Sequence, residues 1–367
     1  FEEVMTLFLA VMVTDVIILD VFNTLGMPTS TTVSLVFELL GGAFILATLK
    51  MYGDDSLNYG VLLNSNKALE VIMGIFSSVI IAFVFGAFVM WLSRIIFTFN
   101  YRKHSRYSIA IFGGIAFTAL SYFIFMKGLG KSPYLPAEWR DYIDQNLGFL
   151  ICITFVVSAV VMEFLHLCRV NIFKFTVLMG TFALAMAFAG NDLVNFIGVP
   201  LAGLSSYQDY MANANGAAPD QFMMTSLMES AKTTQGFLLA AGAVMIIAMA
   251  TSKKAQNVIK TSVDLSRQDE GDEMFGSSSA ARVIVRNCQA TDSWLKQFMP
   301  KALMNWINSR FDKNNVELEE SAAFDVVRAA VNLVLASMLI TIGTNLKLPL
   351  STTYVTFMVA MGSSLAD

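Results

Sequence analysis

The residues of this chain best equipped for chemistry fall in three short stretches. Pro28-Thr29-Ser30-Thr31-Thr32 recurs as Pro349-Leu350-Ser351-Thr352-Thr353, and Ala189-Gly190-Asn191-Asp192-Leu193-Val194-Asn195 lies between the two copies. Proline cannot continue a preceding helix, whereas Ser and Thr hydroxyls satisfy the first unpaired N–H groups of a new one. Each Pro-x-Ser-Thr-Thr element is therefore predicted to open a helix. A helix start inside an apolar medium presents backbone donors, a partial positive charge and spare hydroxyls, a combination suited to a tetrahedral oxyanion. The competing reading is that the hydroxyls only ease close helix packing. Two copies in matching context, each after an apolar span and before a glycine-containing one (Gly41 and Gly42; Gly362), favour the anion.

The stretch around Asp192 suits a cation instead. An ionisable Asp at membrane depth costs about 3 kcal/mol even on translocon scales, so it faces a partner, an ion or water. Asn191, Asp192 and Asn195 bring carboxylate and amide oxygens together at a predicted helix break, and hard cations such as sodium take oxygen ligands. The alternative is an Asp capping a helix at the membrane interface. Asp15, Asp20 and Glu38 add acids to the first apolar segments, where the repeat-related positions are Ala336, Thr341 and Val359. Asp20, close to the break before Pro28, is the expected accessory cation ligand; Asp15 and Glu38 read as paired or interfacial.

The elements that position these groups are membrane helices. With 56% hydrophobic and 14% charged residues, a chain of 367 residues cannot clothe a soluble surface. Apolar runs at roughly 4–24, 70–97, 107–128, 147–168, 172–190, 234–251 and 323–344 are each long enough to cross a ~30 Å hydrocarbon core. Shorter ones at 30–49, 192–205 and 351–366 read as discontinuous or re-entrant pieces, so the expected fold is an all-α polytopic membrane protein. A formal charge of -4 without a basic cluster argues against nucleic acid. Three Cys and two His are too scattered for a metal or disulfide framework, and Cys152, within an apolar run, reads as a small buried residue.

Lys and Arg gather on the cytoplasmic side of membrane proteins. The link 98–106, with Arg102, Lys103 and Arg106, is therefore assigned inside; 129–146 and 206–232 alternate outside. The polar segment 252–322 becomes a cytoplasmic insert. Its run Asp269, Glu270, Asp272, Glu273 followed by Ser277, Ser278 and Ser279 reads as disordered, while 294–311 has helical apolar spacing broken at Pro300 and suits the membrane surface or the bundle.

Taken together, Asn191-Asp192-x-x-Asn195 and the paired Pro-x-Ser-Thr-Thr elements resemble the inorganic phosphate transporter (PiT) family, along the whole chain apart from 252–322. The resemblance implies an inverted-repeat, cation-coupled phosphate symporter with one Asn-Asp motif per repeat; the first is expected upstream of Phe1, so the chain reads as N-terminally truncated. It implies a transport site formed by Asn191, Asp192, Asn195, Ser30, Thr31, Thr32, Ser351, Thr352 and Thr353. The motif here reads Ala189-Gly190 rather than Gly-Ala, and Val33 and Tyr354 stand where a His often follows Ser-Thr-Thr, which weakens a His-based proton role. The implied organisation is 1–128 as the remainder of the first repeat with following helices, 129–251 as further helices including the start of the second repeat, 252–322 as the insert, and 323–367 as the end of the second repeat.

The expected function is import of inorganic phosphate across the plasma or inner membrane by alternating access. Sodium on Asp192, Asn191 and Asp20 is the expected coupling ion, with protons as the alternative, and a homodimer is compatible with this reading. Two rivals remain open: a sulfate or other oxyanion permease of the same architecture, and a membrane hydrolase using Ser30 or Ser351. The hydrolase needs an activating base, and neither His104 nor His166 lies near a motif in the chain.

Overall fold

A computed structural model of the chain describes residues 1–54, 56–98, 106–122, 136–224, 227, 234–264, 279, 282–283, 285–287, 289–290, 300–311, 325–346, 348 and 350–366. The fold is all-α. In chain order the helices are α1 (Glu2–Thr24), α2 (Thr31–Gly53), the one-turn α3 (Tyr59–Leu62), α4 (Ser65–Phe97), α5 (Arg106–Ser121), α6 (Ala137–Gln145) and α7 (Leu147–Leu167). There follow α8 (Ile172–Asn213), α9 (Gln235–Thr251), α10 (Lys253–Asp264), α11 (Lys301–Arg310), α12 (Val326–Asn345) and α13 (Thr352–Ala366). Among the described residues α1, α2, α4, α7, α8 and α12 are long and apolar enough to cross a membrane. Leu9, Ile17, Phe76, Phe149 and Leu239 are more than half exposed on the outer faces, as lipid-facing side chains are.

Helix α12 is the axis of the bundle. Its small residues Ala330, Ala336, Ser337 and Gly343 are buried and let α8, α4 and α13 approach closely. Against it stand two apolar clusters, one of Phe97, Ile109, Met162, Ile172, Phe173 and Val327, the other of Ala82, Ala336, Ile340, Leu350, Val355 and Val359. Helix α13 lies chiefly on α4. The two cross at glycines: a Cβ on Gly86 would stand 2.9 Å from Val359 Cα, and one on Gly362 would meet the Phe83 carbonyl and, at 2.9 Å, the Ala87 nitrogen. The α1–α2 hairpin is antiparallel, with Lys50 Nζ 2.7 Å from Glu3 Oε2 at its open end, and it leans on α8 and α10.

The C-terminal end of α4 is held by charge. Arg94, buried near its last turn, pairs with Asp325, which also caps α12 by accepting from the Val327 and Arg328 nitrogens at 2.9 and 3.2 Å. Arg310 of α11 donates to the carbonyls of Ile95 and Ile96 at 2.7 and 2.9 Å, satisfying groups that the end of α4 leaves open. The apolar stretch 294–311 is thus a helix from Lys301, docked on the bundle through Arg310, with Leu303 and Trp306 still exposed; residues 294–299 lie outside the described set.

Several expectations need correction. The break at Asp192 is not there: 172–190 and 192–205 are one helix of 42 residues, ~63 Å long and about twice the hydrocarbon thickness. Asn and Asp break helices when their side chains bond their own backbone, and here they bond across helices instead (below). The stretch 30–49 is a full 23-residue helix, not a short piece. Cys152 faces outward rather than into the core. Pro349, Lys131, Glu229, most of the 98–106 link, and the Asp269–Glu273 run with Ser277 and Ser278 lie outside the described residues.

The glycine crossing gives a test. Gly362→Leu forces two backbones apart and is expected to cost on the order of 3 kcal/mol, read as a lower melting temperature of the purified protein. Gly41→Ala, facing open space, is expected to be neutral or slightly stabilising.

Candidate functional site

Both Pro-x-Ser-Thr-Thr elements follow a helix that ends in the same way. After α1 the Met27 nitrogen donates to the Phe22 carbonyl at 2.9 Å and the Gly26 nitrogen to Asn23 at 3.2 Å. Gly26 has φ 67°, the left-handed conformation this closure requires and glycine tolerates. After α12 the Leu348 nitrogen donates to Gly343 at 2.9 Å, the equivalent bond in the second copy. Each chain then turns into a new helix. Ser30 Oγ accepts from the Val33 nitrogen at 3.2 Å, and Ser351 Oγ from the Tyr354 nitrogen at 3.0 Å. Both serines are completely or almost completely buried, so two helix starts lie inside the protein.

The third stretch meets them from α8. Asp192 Oδ1 accepts from Thr31 Oγ1 at 3.2 Å, and Thr352 Oγ1 stands 3.0 Å from both Asp192 oxygens. Asn191 and Asn195, on the same face one turn apart, each direct Nδ2 at Thr32 Oγ1, at 3.3 and 2.6 Å. Asn191 Nδ2 also reaches Asp192 Oδ1 at 3.3 Å. One carboxylate is thereby tied to both repeated elements, 161 and 160 residues away from them in sequence. Thr32 and Thr352 are buried, while Thr31, Asn191, Asp192 and Asn195 are half-buried.

The donor and acceptor balance shows what else the cluster can hold. Thr32 Oγ1 accepts two amide hydrogens and keeps its own to give; Ser30 and Ser351 likewise accept at their caps and retain a hydroxyl hydrogen. The Oδ1 atoms of Asn191 and Asn195 have no hydrogen-bond partner among the described residues, and with the Asp192 carboxylate they are the oxygens on this stretch of α8 that could serve as ligands to a hard cation. Thr353 is half-buried beside them, without a side-chain bond among the described residues.

Asp20 is not part of this arrangement. Its carboxylate is exposed and accepts from Lys254 Nζ of α10 at 2.6 Å, so the acid expected to ligate a cation is already neutralised by a lysine. No sequence signal marked that partner, because Lys254 lies 234 residues away. Asp15 and Glu38 lie on the two helices of the hairpin, where Ser34, a residue outside every motif, donates to Glu38 at 2.8 Å.

A family model described as the phosphate transporter family matches residues 1–262, most of the chain. The chain belongs to the phosphate transporter family. The matched span contains the first Ser-Thr-Thr element and the Asn-Asp motif, and the second Ser-Thr-Thr element lies beyond it. No curated protein and no solved structure matches the chain. As a member of this family, with six membrane-length helices among its described residues, it is a multi-pass membrane protein of phosphate transport.

If the Asp192 hydroxyl bonds hold the cluster together, a double-mutant cycle of Thr352→Val with Asp192→Ala should show a coupling of about 1 to 2 kcal/mol in thermal unfolding, high for interhelical bonds in membranes because the acceptor is charged. Additive losses would contradict the contact.

Proposed function

We propose that the chain moves inorganic phosphate together with sodium ions by alternating access. Phosphate is held by the hydroxyls and helix-start amides of Ser30, Thr31, Thr32, Ser351, Thr352 and Thr353. Sodium sits on Asp192 and the amide oxygens of Asn191 and Asn195. The observation that carries the reading is the attachment of one carboxylate to both helix starts. Without a cation, Asp192 occupies the Thr31 and Thr352 hydroxyls and places a negative charge beside the anion's seat. Sodium on the carboxylate cancels that charge and releases two hydroxyl hydrogens to phosphate oxygens, so the two solutes bind cooperatively.

Charge movement supports the same coupling. Near neutral pH phosphate carries one to two negative charges, and bringing each inward against 100 mV costs about 2.3 kcal/mol, which co-transported cations offset. Protons on Asp192 could serve the same end, and the oxygen-rich set around it favours sodium. Sulfate, the rival anion, has no hydrogen to donate at neutral pH, so a carboxylate facing the site selects for hydrogen phosphate. The hydrolase reading finds less support: Ser30 and Ser351 are occupied as helix caps, and His166 stands at the far end of α7. The plasma or inner membrane is the proposed location.

Radiolabelled phosphate uptake into proteoliposomes holding the full-length protein should rise with an inward sodium gradient, and tenfold excess sulfate should leave it nearly unchanged. Asp192→Asn should lower uptake at least tenfold and abolish its sodium dependence, since a charge-assisted interaction of about 1.5 to 3 kcal/mol is lost. Uptake equal with and without sodium, but steep in pH, would replace sodium by protons.

A further inference from the structure

The α1–α2 hairpin encloses a second set of acids that the phosphate site does not use. Asp15 of α1 is 3% exposed in the middle of an apolar span, and its Oδ1 has no hydrogen-bond partner among the described residues. Facing it on α2, Ser34 Oγ donates to Glu38 Oε1 at 2.8 Å, while the buried Glu38 Oε2 has no partner among the described residues either. Ser34 has one hydroxyl hydrogen and gives it to Glu38, so Asp15 Oδ1 and Glu38 Oε2 are left without a donor among the described residues. The Lys50–Glu3 pair sets the hairpin register that places residue 15 opposite residue 38, and two carboxylates facing each other inside hydrocarbon with too few donors repel unless a proton neutralises one of them.

The acids are not there for packing. In the second repeat the equivalent positions, Ala336 and Val359, are fully buried members of one apolar cluster. The other charged groups on the helices packed here are spoken for or distant. Glu3 pairs with Lys50 at the open end of the hairpin, beside Glu2 and ~18 Å along the helices. Asp20 pairs with Lys254, next to Lys253 on α10, and the side chains of Lys260 and Asp264 lie outside the described residues. On α8, Asp192 is bound to Thr31, two turns or ~10 Å from Glu38, with Lys174 and Asp209 further along.

We propose that Asp15 and Glu38 form a proton site within the hairpin, the two carboxyl groups holding one proton between them beside Ser34. Losing that proton sets two negative charges against each other at the α1–α2 interface, and the strain reaches the hairpin tip where Ser30 opens α2. The site is separate from the phosphate reading and is read without transport. Infrared difference spectra of the full-length protein in vesicles, without phosphate, are expected to show one protonated carboxyl carbonyl band at neutral pH. The band should vanish at high pH, disappear in Asp15→Asn with Glu38→Gln, and persist in Asp192→Asn. Carbon-13 labelling of aspartate or of glutamate in the unaltered sequence should shift it, which covers the case of a variant that does not fold. Absence of a protonated carboxyl at neutral pH, survival of the band in the folded double variant, or its loss on adding sodium at constant pH would overturn the proposal.

Discussion

A single carboxylate in a poor solvent organises this molecule. Asp192 lies on the central part of a membrane helix, where an acid without donors is expensive, and the donors it finds are hydroxyls from two distant elements. That need draws the start of α2 and the start of α13 to the same side of α8. Neither helix start could be moved far without stranding either the acid or a set of unpaired amides.

The meeting works because proline and helix closure act together. Pro28 follows a helix ended by a left-handed Gly26, and the second copy makes the same closing bond from Leu348 to Gly343. Such ends are tolerated at membrane depth only where protein, rather than lipid, surrounds them. The surroundings are supplied by close helix crossings: Gly86 and Gly362 bring α4 and α13 to backbone contact, and α12 fills the space behind them with small residues. Arg94 and Asp325 then fix α4 to the start of α12. The two copies differ in support, since α2 relies on α1 as a hairpin whereas α13 rests on α4.

This division accounts for a site whose parts can be rearranged. Asp192, Thr31 and Thr352 form charge-assisted bonds, which the proposed coupling ion would replace, whereas Ser30 and Ser351 are fixed by their capping role. The hairpin carrying Ser30 is the less enclosed element, with only Val11, Asp15, Thr32 and Ala47 buried along its two helices, against eleven buried residues on α12 alone. In the proposed alternating access, the less enclosed hairpin is the element to move against α12.

Local chemistry was legible in the residues alone. Hydropathy and length gave α1, α4, α7 and α12 as membrane-length helices, because crossing a bilayer leaves no other way to satisfy the backbone, whereas 107–128 and 234–251, expected to cross, are shorter helices among the described residues. Pro-x-Ser-Thr-Thr gave two helix starts, because capping depends on neighbours along the chain. What the chain did not disclose was every decision made by a partner far away in sequence. Asn191 and Asp192 read as a helix break until Thr31, Thr32 and Thr352 gave their side chains something better than their own backbone to bond. Asp20 met Lys254, and Asp15 came to lie across the hairpin from Glu38, only through the tertiary fold. Capping and hydropathy are properties of short segments, whereas the fate of a buried charge is settled by whichever donor the tertiary structure brings within 3 Å or so.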